Sequence, residues 1–289
     1  MKAEQFRNAI AALGTELSPD MIAATQKLIA PLHSLPSETD GVERDQPYGP
    51  HERHRADIFS APDIRDAPVL VFVHGGGFVM GDKRTPGTPF YDNVGRFAVD
   101  SGFVGVTVTY RLAPEHKWPA GPQDMALLVE WLHDNIARFG GDPARIFLMG
   151  QSAGAVHVAS YLAHKQFHRD VGSIAGAIAV SAIYDVAAAH ANQFHTAYYG
   201  EDRSQYALAS LTGGLSETQV PFMATVSEFD ILDFQSQSAQ FVADYQSARG
   251  TYPAMHYLSG HNHLSPALAL GSDFDTLGPL VAAFINSRS

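Results

Sequence analysis

Cysteine is absent from the 289 residues. That excludes a disulfide scaffold, a thiolate nucleophile and thiolate metal ligands, and leaves the compartment open. Basic side chains are scarce: 19 Lys and Arg stand against 30 Asp and Glu, a formal charge of −11. A polyphosphate partner needs clustered Lys and Arg to displace counterions, so no nucleic acid is expected. Apolar runs are short. The longest, residues 174–183, is broken by Gly176 and Ser181 and falls well below the roughly 20 residues of a membrane span. The first seven residues, with Lys2, Glu4 and Arg7, hold no apolar core of a secretory signal. The expectation is a cytoplasmic protein with no membrane span. What is present is material for a core: 45% hydrophobic residues and 17% charged, with no compositional sign of disorder. The length suits two average domains, although single α/β domains of this size are routine.

Along the chain, residues 1–45 read as a helical segment. Ser18-Pro19-Asp20 has the form of a helix start: a capping hydroxyl, a proline whose missing N–H costs nothing, and an acid at the positive dipole end. Pro31 and Pro36 end the segment, and residues 38–50 read as a polar connector. Thereafter apolar runs at 69–73, 103–109, 146–149, 174–180, 222–226 and 255–258 alternate with helix-length segments at 90–101, 124–139, 153–166, 234–249 and 277–285. This predicts an α/β fold, a mostly parallel sheet covered by helices on both faces. Residues 53–59 alternate as an edge strand would. Residues 184–215 break the rhythm and read as an inserted cap within a catalytic domain of 46–289.

Four segments carry the chemistry. Gly150-Gln151-Ser152-Ala153-Gly154 lies between an apolar strand and a helix. A tight strand-to-helix bend lifts the Ser152 hydroxyl clear of the sheet and needs glycine two residues to either side. It also sets the Ala153 N–H at a helix N-terminus, aimed at developing negative charge. His74-Gly75-Gly76-Gly77-Phe78 follows the 69–73 strand. Its glycines let Gly76 and Gly77 turn N–H groups towards an oxyanion; no phosphate-loop fingerprint accompanies them. His74 itself reads as structural. The acid is sought in Ser227-Glu228-Phe229-Asp230-Ile231-Leu232-Asp233. Asp230, just past the strand end, is preferred, with Glu228 and Asp233 as alternatives. The base is sought in His261-Asn262-His263, with His263 preferred. A His-x-His pair can also chelate a metal, but nothing nearby completes a tetrahedral set. All four segments lie just past the C-terminal ends of strands, where open α/β sheets place their sites.

On these motifs, with Tyr110-Arg111-Leu112-Ala113-Pro114-Glu115-His116 between the first two, the chain resembles the α/β-hydrolase esterases of the hormone-sensitive-lipase-like group. The resemblance implies a serine carboxylesterase of the α/β-hydrolase fold with a small helical cap. Ser152 would be nucleophile, His263 base and Asp230 its orienting acid, with oxyanion donors at Gly76, Gly77 and Ala153. The partner would be a small-molecule ester of short to medium acyl chain. No metal or organic cofactor is called for, and a homo-oligomer is compatible with the sequence. Gln151, Ile231 and Leu264-Ser265 depart from the group's usual residues. The ending at residues 260–265 is similar to that of small bacterial esterases and of kynurenine-formamidase-like hydrolases, which share the fold and triad but can cleave an N-formyl amide. A non-catalytic ligand-binding homologue is the reading from another functional class. Phe194, Tyr198, Tyr199 and Phe229 suggest an aromatic entrance.

Overall fold

The computed structural model of the protein describes residues 2–34, 41–169 and 172–288. Two helices open the chain, α1 (Ala3–Ala11) and α2 (Pro19–Ile29), the second started by Ser18, whose Oγ accepts the Met21 N–H at 3.2 Å. Pro31 sits inside a short 3-10 turn, Ala30–Leu32, that follows α2; Pro36 lies outside the described residues.

Two strands come next, β1 (Val42–Pro47) and β2 (Arg55–Phe59). The alternating core begins with β3 (Ala67–Val73), α3 (Asp92–Asp100), β4 (Val104–Val108) and α4 (Ala120–Asn135). It continues through β5 (Gly141–Gln151), α5 (Ala153–Ala163) and β6 (Gly176–Val180). The insertion holds α6 (Gln193–Tyr199) and α7 (Thr212–Glu217). Then follow β7 (Phe222–Phe229), α8 (Leu232–Arg249), β8 (Ala254–Asn262), α9 (Ser265–Leu268) and α10 (Gly278–Asn286).

The eight strands form one sheet in the order β1-β2-β4-β3-β5-β6-β7-β8. β1 and β2 run antiparallel and all pairs from β4 to β8 are parallel. Every residue of β3 is buried, as the continuous apolar run requires of a strand covered on both faces. Its side chains alternate between two cores. Val69, Val71 and Val73 meet α4 and α5, whereas Leu70 and Phe72 meet α3 and α10. Phe6, Ile10 and Ile29 of the N-terminal helices pack with Phe90 and Leu268 in a third cluster. Among the described residues, no helix is long and apolar enough to cross a membrane.

Two expectations are corrected. The polar connector contains β1, which joins the sheet at Val42, so the boundary near residue 45 falls inside a strand. The exposed side chains of β1 hide it, because an edge strand needs only one buried face. Within residues 53–59 only Arg55–Phe59 form a strand, and this β2 lies second from the edge, covered by β1.

Strand register brings the site together. Val73 pairs with Gly150, so the loop after β3 lies beside the bend after β5. Gln151 pairs with Val180, and Phe229 of β7 with Asn262 of β8.

Candidate active site

At the end of β5 the chain turns sharply into α5. Ser152 takes φ 55° and ψ −122°, a left-handed conformation that is strained for a residue with a Cβ. A Cβ on Gly150 would lie 2.2 Å from the Gly154 carbonyl oxygen, and one on Gly154 would lie 2.1 Å from that of Val73. Both contacts are impossible, so both positions require glycine. The Ser152 N–H donates to the Val180 carbonyl at 2.9 Å, which pins the bend to β6.

His263 Nε2 lies 2.8 Å from Ser152 Oγ, and His263 Nδ1 lies 2.7 Å from Asp230 Oδ1. A carboxylate only accepts, so Nδ1 carries the proton and Nε2 is left to receive one from the serine. Asp230 is buried. Burial by itself would raise its pKa, but the His263 ring, the Ser181 hydroxyl and the Ser227 N–H outweigh it and hold the carboxyl below its usual range. Oδ1 also accepts the Ile231 N–H at 2.9 Å.

The competing residues are engaged elsewhere. Glu228 accepts from Arg7, from Ser259 Oγ at 2.9 Å and from the Gly260 N–H at 2.8 Å. The Arg7 hydrogen bond is the main reason its carboxyl is held down to about 2. Asp233 accepts the His190 N–H at 3.0 Å. His261 Nδ1 meets Ser265 Oγ at 2.9 Å, and the ring packs edge-on against Phe6. Burial pushes this imidazole down to about 4. The two imidazoles of His261-Asn262-His263 therefore serve different partners and do not converge on one point.

The loop after β3 is held by His74. Its Nδ1 meets the Gly75 carbonyl at 2.6 Å, its ring stacks on Tyr110 at 4.4 Å, and its own carbonyl accepts the Tyr110 hydroxyl at 2.9 Å. Burial pushes the ring down to about 4, so it is a neutral support. The Gly76 carbonyl accepts the Val79 and Met80 N–H groups, closing the turn. Among the described residues, the Gly76 and Gly77 N–H groups have no acceptor within the chain. Ala153 opens α5, where first-turn N–H groups have no intrahelical acceptor.

Three supports escaped the sequence reading. Ser181 donates to Asp230 Oδ2, and the rule that located Asp230 also locates it, directly after a strand. Gln151 Nε2 donates to the His263 carbonyl at 2.9 Å; in the sequence it registered only as a departure from a motif. Asn262 Nδ2 donates to Thr25 Oγ1 at 2.9 Å, while its Oδ1 accepts the N–H groups of Leu264 and Ser265 at 3.1 and 3.0 Å. No local pattern pairs residues 25 and 262.

The aromatic entrance is only partly as expected. Tyr198 is core, stacked on Phe78 at 4.4 Å with its hydroxyl accepting the Gly121 N–H at 3.0 Å. Phe229 packs with the N-terminal helices under Arg7. Phe194 does reach the site, against Gly77, and Phe234 lies 4.5 Å from the His263 ring.

Residues 70–266 match a family model described as the alpha/beta hydrolase fold. Carboxylesterase NlhH of Mycobacterium tuberculosis is 42% identical over 117 residues, which are 40% of this chain and 34% of that protein. The chain thus spans about a third of the curated relatives it matches. A phosphonate-inhibited esterase B from Lactobacillus rhamnosis superposes with a TM-score of 0.77 at 16% identity, over 100% of this chain and 96% of that one. The esterase of Pyrobaculum calidifontis does so with a TM-score of 0.70 at 20% identity, over 99% and 96%. At these identities the superpositions establish the fold.

Proposed function

The chain belongs to the alpha/beta hydrolase fold family, and from that premise we propose that it is a serine carboxylesterase acting on short- to medium-chain esters. The observation that carries this reading is the unbroken line from Asp230 through His263 to Ser152, with links of 2.7 and 2.8 Å. In the proposed mechanism His263 Nε2 takes the Ser152 proton as Oγ attacks the ester carbonyl. Asp230 holds the ring in the required tautomer and stabilises its charged form. The N–H groups of Gly76, Gly77 and Ala153 receive the oxyanion. The imidazolium then protonates the departing alcohol, and water activated by the same nitrogen releases the acid from the acyl-enzyme. No step requires a metal or an organic cofactor.

The relatives named as a carboxylesterase and esterases favour ester over formamide cleavage. The intact hydrogen-bonded set argues against a purely ligand-binding role, which has no use for it. In this reading the N-terminal helical segment at residues 2–34, with the insertion at 184–215, forms the cap over the site. A cytoplasmic location and self-association belong to the same proposal, to be read by cell fractionation and by light scattering.

Turnover of p-nitrophenyl butyrate tests the central claim. Ser152→Ala is expected to lose about a thousand-fold or more, and chelators are expected to have no effect. His263→Ala should collapse turnover to a similar degree and His261→Ala should not. A folded Ser152→Ala variant with near-normal turnover refutes the assignment.

A further inference from the structure

We propose that two phenylalanines divide the site: Phe194 walls the acyl side and restricts it to short chains, and Phe234 walls the side from which the alcohol leaves. This rests on the esterase reading above and narrows it.

The division follows from the directions around the reacting carbon. One bond runs to Ser152 Oγ. The oxyanion points at the Gly76 and Gly77 N–H groups. The leaving oxygen must take its proton from His263 Nε2, the nitrogen that accepted the serine proton, so the alcohol lies on the imidazole side. The acyl chain is left the remaining direction, away from the imidazole and along the glycine loop.

One ring stands beside the imidazole and one beside the glycine loop. Phe234, in the first turn of α8, lies 4.5 Å centroid to centroid from the His263 ring at 59°. Phe194 lies against Gly77: a methyl built on that glycine would be 3.0 Å from two carbons of the ring. Gly77 has φ 58°, so the missing side chain both permits the turn and lets the ring close up to the loop.

The helix that carries Phe194 is held in place. It stands one helical turn before Tyr198, on the same face of α6. Tyr198 is locked by its stack on Phe78, by the Gly121 N–H on its hydroxyl and by the Trp118 N–H on its carbonyl at 2.8 Å. The start of α6 is fixed by Asn192, whose Oδ1 accepts the N–H groups of Phe194 and His195 at 2.9 and 3.1 Å. A wall held at both ends sets chain length.

Two substrate series test the division: p-nitrophenyl acetate, butyrate, hexanoate and octanoate, then acetates of ethanol, benzyl alcohol and 1-naphthol. The proteins are wild type, Phe194→Ala, Phe194→Leu and Phe234→Ala, each checked for folding by thermal melting. Wild-type kcat/KM should peak at acetate or butyrate and fall about tenfold or more by octanoate. Phe194→Ala should move the optimum by about two to four carbons and Phe194→Leu by less, since each methylene admitted to an apolar site gains about threefold to fourfold. Both should leave the alcohol order unchanged. Phe234→Ala should leave the acyl order unchanged and alter the alcohol order. An unaltered acyl profile in the Phe194 variants overturns the proposal, as does an acyl shift in Phe234→Ala. If Phe194→Ala does not fold, Phe194→Leu decides. Wild-type protein that turns over no ester overturns the esterase reading as well, whereas active protein with an unmoved profile overturns this inference alone.

Discussion

Acidification should destabilise the protein through its buried histidines. His74 supports the glycine loop, His157 lies beneath Tyr198, and His261 anchors the strand end that precedes His263. All three are buried, and burial holds the rings at about 4, about 3 and about 4, in that order. An imidazole in the unfolded chain titrates near ~6.5. Because the folded values lie below the unfolded one, the unfolded state binds more protons as pH falls. The stability is therefore fully present above about pH 6.5 and is lost as pH drops towards the folded values. At pH 5 the solution lies about 1.5 units below the unfolded pKa of each ring while the folded rings stay mostly neutral, which costs about 2 kcal/mol per ring, or about 6 kcal/mol for the three. That is comparable with the whole stability of a typical domain, about 5–15 kcal/mol. His33 and His195 shift in the same direction for the same reason, burial. Urea titrations followed by tryptophan fluorescence at pH 7.5, 6.0 and 5.0 give the check. The midpoint should drop steeply below pH 6.5, with about three protons taken up on unfolding by these rings and a further contribution from His33 and His195. A midpoint unchanged between pH 7.5 and 5.0 refutes the assignment of these rings as neutral supports.

Two substitutions test the supports of the base. Asn262→Ala removes the link to Thr25 and leaves the Leu264 and Ser265 N–H groups without their acceptor. A cost of about 2–4 kcal/mol is expected, with kcat reduced more than KM is raised; denaturant melts and steady-state kinetics read both. Gln151→Met removes the donor to the His263 carbonyl and should lower kcat with little change in KM. Gln151→Glu sets a carboxylate against that carbonyl, so its kcat should fall further than that of Gln151→Met at pH 8; equal kcat for the two variants would contradict the donor role.

Much of the molecule was legible because its signals are local. The six parallel strands β3 to β8 each overlap one of the apolar runs, although β5 opens at Gly141, ahead of its run at 146–149, and β8 continues to Asn262, past its run at 255–258. Ser18 and Pro19 announced α2, and Gly150 and Gly154 announced the bend at Ser152, because steric and capping requirements act between neighbours. β1 was missed because a polar edge strand carries no apolar run, and its pairing partner lies beyond a turn. Position along the chain alone separates Asp230 from Glu228 and Asp233; in the fold each rival carboxylate already has its own donors.

Residue types, their order and the obligatory glycines were thus set by the chain read alone, since backbone sterics and hydrophobic periodicity extend over only a few residues. Which of two histidines faces the serine, which aromatic rings reach the site, and that Thr25, Gln151 and Ser181 brace its far-apart members were decided only when the strands came into register. Those contacts join residues as much as 237 positions apart, and hydrogen bonds and packing act through space, where separation along the chain carries no information.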